Sequence, residues 1–155
     1  SAATAFAKAQ IAAGNTLPVA GSGGQVFLSL NDRDKDGLVP IARELERLGF
    51  DLLATEGTTA RLRAEGIACR VLNKVSQGSP HIVDLIQAKQ CVMLINTPQN
   101  RTSVADDGQI RKAALLAQIP YSTTLAGARA AVAAIAGLAQ SGMGVKSLQE
   151  YHANV

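Results

Sequence analysis

A chain of 155 residues suits one domain of about 100–200 residues with room for a sizeable core, and excludes two full domains. Hydrophobic residues make up 47% and charged ones 17%, which excludes a disordered or coiled-coil chain. Fifteen Lys and Arg against twelve Asp and Glu give +3, but the cations are scattered and aromatics are 3% with no Trp, so no stacking platform for nucleic acid is present.

Residues 1–13 are alanine-rich and helix-compatible, and the Gly/Pro/Ser-punctuated stretch Gly14 to Gly24 reads as a linker, so the compact domain is expected to begin near Gln25. From there apolar runs alternate with helical patterns. A strand Val26–Leu30 precedes a helix with Leu38, Ile41, Ala42, Leu45 and Leu48 on one face, closed by Gly49. Strand Asp51–Ala54 precedes a helix over Thr59–Glu65, and strand Cys69–Leu72 precedes a helix over Pro80–Lys89, with Ser79-Pro80 as its start signal. Strand Cys91–Asn96 precedes a helix over Gln109–Gln118, and strand Tyr121–Thr124 precedes the helix Ala126–Gln140.

Five β-α units whose strands are continuous apolar runs predict a five-stranded parallel sheet covered on both faces, a three-layer α/β/α sandwich of Rossmann-like type. The longest nearly uncharged apolar run, Ala130 to Ala139, is well short of the roughly 18–20 residues a membrane span needs. The opening has neither a basic nor an apolar signal-peptide segment. Cys69 and Cys91 lie in apolar runs without metal-ligand spacing and read as reduced buried thiols, so a cytoplasmic setting is expected, with no metal site.

In such sheets ligands bind beyond the carboxyl ends of the strands, where helix N-termini offer free N–H groups to anions. The loops at that edge carry Ser29 and Lys35, then Thr55, Glu56, Gly57 and Thr58, then Lys74, then Asn96, Thr97 and Arg101, then Thr123 and Thr124. Lys35, Lys74 and Arg101 with the hydroxyls of Thr55, Thr58 and Thr97 suit a phosphate monoester. Glu56 is the one carboxylate in that set, and a phosphate there requires it to point away or meet a cation. The sequence carries no GxxxxGK[ST] loop, no GxGxxG after the first strand, no HExxH and no GxSxG. His81 reads as structural in a helix's first turn, His152 is uninformative, and Asp106 and Asp107, expected just before a helix, read as capping groups.

With these residues in view, the segment from Phe27 to His152 resembles the methylglyoxal-synthase-like regulatory domain of carbamoyl-phosphate synthase large chains. The likeness rests on FLSLNDRDK at 27–35, GFDLLATEGTT at 49–59, VLNKVSQGSPHIVDLI at 71–86, LINTPQNR at 94–101, IPYSTTLAGARAAVAAI at 119–135 and SLQEYH at 147–152. AFAKAQ at 5–10 is similar to the helix that precedes that domain, so residues 1–24 are expected to belong to the preceding region of a larger enzyme and 25–155 to the regulatory domain.

The resemblance implies a non-catalytic domain that binds UMP or IMP at Ser29, Lys35, Thr55, Gly57, Thr58, Lys74, Asn96, Thr97 and Arg101. It further implies an ornithine region at Tyr121, Thr123 and Asp106. It implies no cofactor in the domain itself, with ATP and Mg or Mn in the parent enzyme, and as partners the remainder of the large chain and a glutaminase small subunit. Pro98 stands where nucleotide-regulated relatives carry a hydroxyl, and Glu56 where some carry His. Two alternatives from other classes are a methylglyoxal-synthase-like lyase and a module for assembly alone. The lyase needs a carboxylate in a GGDQQ-like loop after the third strand, where this chain reads NKVSQGSPHIVD, with Asp84 expected inside the following helix.

Overall fold

The computed structural model describes residues 2–98 and 104–142. Its elements, in chain order, are α1 (Ala2–Ala12), β1 (Gln25–Ser29), α2 (Lys35–Arg47), β2 (Asp51–Ala54), α3 (Glu56–Ala64), β3 (Arg70–Val71), a 3-10 turn (Val75–Gln77), α4 (Ile82–Gln87), β4 (Met93–Asn96), α5 (Val104–Leu116), β5 (Tyr121–Ser122) and α6 (Leu125–Ser141). All five strands are parallel, in the order β3-β2-β1-β4-β5.

The three central strands, β2, β1 and β4, are buried on both faces because their side chains alternate between two apolar layers, whereas the edge strand β3 is exposed. Val26 and Leu28 of β1, Leu52 and Ala54 of β2, and Met93 and Ile95 of β4 enter one core with Leu38, Ile41 and Leu45 of α2, Leu62 of α3 and Val132 and Ile135 of α6. Phe27, Leu53 and Leu94 enter the other, with Ile82, Leu85 and Ile86 of α4 and Ile110 and Ala114 of α5. The expected α/β/α sandwich is therefore the observed one. Leu38, Ile41, Ala42 and Leu45 are all buried, as the helical spacing requires, and Gly49 ends α2 at φ +89°, a conformation that other residues rarely adopt.

Three helix starts differ from the sequence reading by two residues or more. α3 begins at Glu56 rather than Thr59, with Thr55 as N-cap, and α5 begins at Val104 rather than Gln109. In both, acidic residues occupy the first turn, where the helix dipole favours them, so the polar runs EGTT and VADDG are helix and not loop. α4 starts at Ile82, with His81 as N-cap, and not at Pro80. The chain just before it bridges to the exit of β3, Asn73 N–H donating to Pro80 O at 3.2 Å, and only beyond that pairing is the backbone free to coil.

The stretch 14–24 forms no helix or strand, as its composition implies, but it is not detached. Ala7 and Leu17 are buried together against Phe6, Ile11 and Leu138, so α1 and the linker lie on α6. Ala3 meets Gly137 closely enough that a Cβ there would sit 3.2 Å from its own. No helix among the described residues is long and apolar enough to cross a membrane, and both cysteines are buried and free.

Candidate functional site

Strand register sets the site's floor. Leu28 is opposite Ala54 and Ser29 opposite Asn96, so Ser29, Thr55 and Asn96 come to one level at the carboxyl ends of the three central strands. Alternation turns all three toward the α4/α5 face, the side that Phe27, Leu53 and Leu94 enter. Ser29 Oγ and Thr55 Oγ1 are 3.3 Å apart, and both residues are buried.

Above this floor the loop between β1 and α2 is held from two sides. Leu30 N–H donates to Thr58 Oγ1 at 3.2 Å, and Asn31 N–H donates to Thr97 Oγ1 at 3.0 Å. Asn31 adds its own turn: its Oδ1 accepts from Asp34 N–H at 2.9 Å, and its Nδ2 donates to Pro98 O at 2.9 Å. Each threonine hydroxyl that accepts from the backbone keeps its own O–H to donate, so Thr58 and Thr97 can brace the loop and still offer a donor to an anion. The sequence singled out both hydroxyls as ligand donors and missed their bracing role. Asn31 was missed altogether, although an Asn three residues before Asp34 in a loop entering a helix is an Asx-turn signal.

Lys35, the first residue of α2, reaches the start of α3. Its Nζ lies where a Cβ on Gly57 would be 2.9 Å away, so only the absence of a side chain at Gly57 admits the ammonium. The same Nζ donates to Asp32 Oδ1 at 2.5 Å, and this hydrogen bond, with the charge of Lys35, holds the Asp32 carboxyl below its ordinary range. The lysine side chain is 19% exposed and the Asp32 side chain 95%, so the carboxylate can swing into water and leave the cation to another anion. Glu56 is exposed on the first turn of α3.

Lys74 is exposed at the entry to the 3-10 turn, on the loop leaving β3, with its backbone N–H bonded to Gln77 Oε1 at 2.8 Å. It stands at the same sheet edge as Lys35, two strands across. Arg101, the third cation of the expected cluster, lies outside the described residues, as does His152.

The residues expected at the ornithine region divide. Tyr121 starts β5 and its hydroxyl accepts from Asn96 Nδ2 at 3.1 Å, while Thr123 follows β5, half-buried. Asp106 instead reaches across to the loop after β3, its Oδ2 accepting from Ser76 N–H at 3.1 Å. Asp107, its neighbour, is the carboxylate joined to Asn96, whose Nδ2 donates to Asp107 Oδ1 at 3.1 Å.

Asp84 sits in α4 and not in the preceding loop, accepting from His81 N–H at 3.0 Å. The Ser79 hydroxyl, then the His81 backbone N–H, hold its carboxyl below the ordinary range. His81 Nδ1 is buried without a hydrogen-bond partner, 3.6 Å from Asp84 Oδ2. Both residues close the first turn of α4. Among the described residues no three His, Cys, Asp or Glu side chains assemble as a metal-ligand set.

The parallel α/β/α sandwich defines an architecture that known proteins share. A family model for the MGS-like domain matches residues 37–123, and the chain belongs to that family. A solved methylglyoxal synthase from Elizabethkingia anophelis NUHP1 shares the fold, with TM-score 0.56 and 17% identity over 70% of this chain and 76% of that one. Within the family the chain is 50% identical over 149 residues, 96% of its length, to the C-terminal section of the carbamoyl phosphate synthase large chain of Methanopyrus kandleri, covering 27% of that protein. It is 46% identical over 149 residues to the carbamoyl phosphate synthase large chain of Acidobacterium capsulatum and 42% identical over 151 to that of Mesorhizobium japonicum, covering 13% of each.

Proposed function

We propose that this chain is the regulatory, effector-binding domain of a carbamoyl phosphate synthase large chain. It takes a nucleoside monophosphate of the UMP or IMP type at the carboxyl edge of the sheet and contributes Tyr121 and Thr123 to an ornithine response. The observation that carries this reading is the placement of Lys35 Nζ over Gly57, in the first turn of α3. An ammonium held against the free N–H groups of a helix N-terminus is a receptor for a phosphate dianion.

In this reading the domain is not itself catalytic. The parent enzyme uses ATP with Mg or Mn to make carbamoyl phosphate from bicarbonate and glutamine-derived ammonia in the cytoplasm, and those groups bind elsewhere in it. The effector acts by binding two states of the domain unequally, which supports a coupling of about 1–3 kcal/mol to the rest of the large chain and its glutaminase partner. Against the lyase alternative, Asp84, the carboxylate of the segment NKVSQGSPHIVD that stands where the lyase loop is expected, is engaged in capping α4.

Calorimetric titration with UMP, IMP and ornithine, with dihydroxyacetone phosphate as the lyase control, tests the proposal. Saturable nucleotide binding that is lost in Lys74→Ala supports it. Failure of every nucleotide to bind, or turnover of dihydroxyacetone phosphate to methylglyoxal, overturns it.

A further inference from the structure

Asn96 is 3% exposed at the carboxyl end of β4, and its amide nitrogen faces two acceptors at once. One hydrogen goes to Asp107 Oδ1 and the other to Tyr121 OH, each at 3.1 Å. A primary amide has two donor hydrogens and one acceptor oxygen. With both hydrogens engaged, the group left to act on anything else is the carbonyl Oδ1, against which no described residue places a donor. Asp107 enforces that orientation, because a carboxylate only accepts, and a flipped amide would set oxygen against oxygen.

From this we infer that Asp107 is a positioning residue which, with Tyr121, locks the Asn96 amide so that position 96 accepts a hydrogen bond from the ligand rather than donating one to it. The inference rests on the effector reading above and sharpens it. Asn96 does not serve the phosphate, whose oxygens need donors. It reads a hydroxyl or ring N–H on the organic part of the ligand, so it separates a nucleotide from bare phosphate. Tyr121, which this network ties to the nucleotide edge, also joins the two expected ligand regions through a single side chain.

The test compares the parent chain with Asp107→Ala, Asp107→Asn and Tyr121→Phe, using UMP and inorganic phosphate as probes and the Asn96 side-chain NH2 resonances as a readout that needs no ligand. Asp107→Ala should weaken UMP about five- to tenfold, the worth of one hydrogen bond, and leave phosphate within about twofold. Asp107→Asn keeps an oxygen acceptor without the charge, so it should restore most of the UMP affinity, which a mere helix-dipole role for Asp107 would not allow. Both Asp107→Ala and Tyr121→Phe should shift the Asn96 NH2 resonances. Equal loss of phosphate and UMP, equal behaviour of the Ala and Asn variants, or unmoved NH2 resonances would each overturn the assignment. If the parent binds neither probe, the effector reading fails, and the NH2 resonances still decide whether Asp107 and Tyr121 hold the amide.

Discussion

Replacing Gly57 by Ala separates the site from the fold. The added methyl would lie 2.9 Å from Lys35 Nζ and 3.7 Å from its Cε, and contact becomes ordinary only from 3.4 Å, so the ammonium must retreat by at least about half an ångström. The obstructed atom is the tip of a flexible side chain, so the clash costs little. Against it, Ala in place of Gly inside a helix gains up to about 1 kcal/mol. The net change in stability should therefore fall within about 1 kcal/mol of zero. Anion affinity should change far more. Displacing an ammonium from a phosphate removes a charge-assisted hydrogen bond of about 1.5–3 kcal/mol, roughly a ten- to hundredfold loss. Urea denaturation and calorimetry with UMP and with inorganic phosphate measure the two effects side by side. Unchanged affinity at unchanged stability would refute the placement of Lys35 in the site, and a stability loss above about 2 kcal/mol would refute the view that the clash is soft.

Three further substitutions probe the fold. Thr58→Val keeps the shape but strips the acceptor from the Leu30 N–H, and should cost about 1–3 kcal/mol in urea denaturation; no loss would mean that the hydroxyl does not brace the β1–α2 loop. Leu17→Ala should cost about 2–4 kcal/mol, because Leu17 is buried with Ala7 beneath α1, whereas a loosely attached N-terminal segment predicts almost none. Burial pushes the Cys91 thiol from 9.0 up to about 11, so the folded chain holds that proton more tightly than the unfolded one. The associated stability is fully present below pH 9 and falls by about 2–3 kcal/mol as the pH rises to 11. Denaturation profiles of the parent and Cys91→Ala should diverge over that window, and parallel profiles would reject the assignment.

Where the candidate residues lie was largely legible because it follows from topology. Once the strands were read as parallel, Ser29, Thr55, Asn96 and Thr97 had to come to the carboxyl edge, and they do. What each residue does there was less legible. Thr58 and Thr97 brace a loop 28 and 66 residues away, and Asp107 orients Asn96 from the first turn of a helix whose start the sequence placed too late. Polar first turns hide from a search for apolar spacing, so α3 and α5 were read short at the ends that face the site.

The sequence by itself determined the α/β alternation, the apolar strands, the burial of both cysteines and the edge at which polar groups gather, because these depend on local propensity and hydrophobic period. Tertiary structure alone decided the strand order β3-β2-β1-β4-β5, the docking of α1 on α6, the admission of Lys35 at Gly57 and the partners of the Asn96 amide. Those are contacts between segments distant along the chain, whose geometry is settled by packing and by the need of every buried polar group for a partner, and no local pattern encodes which partner that is.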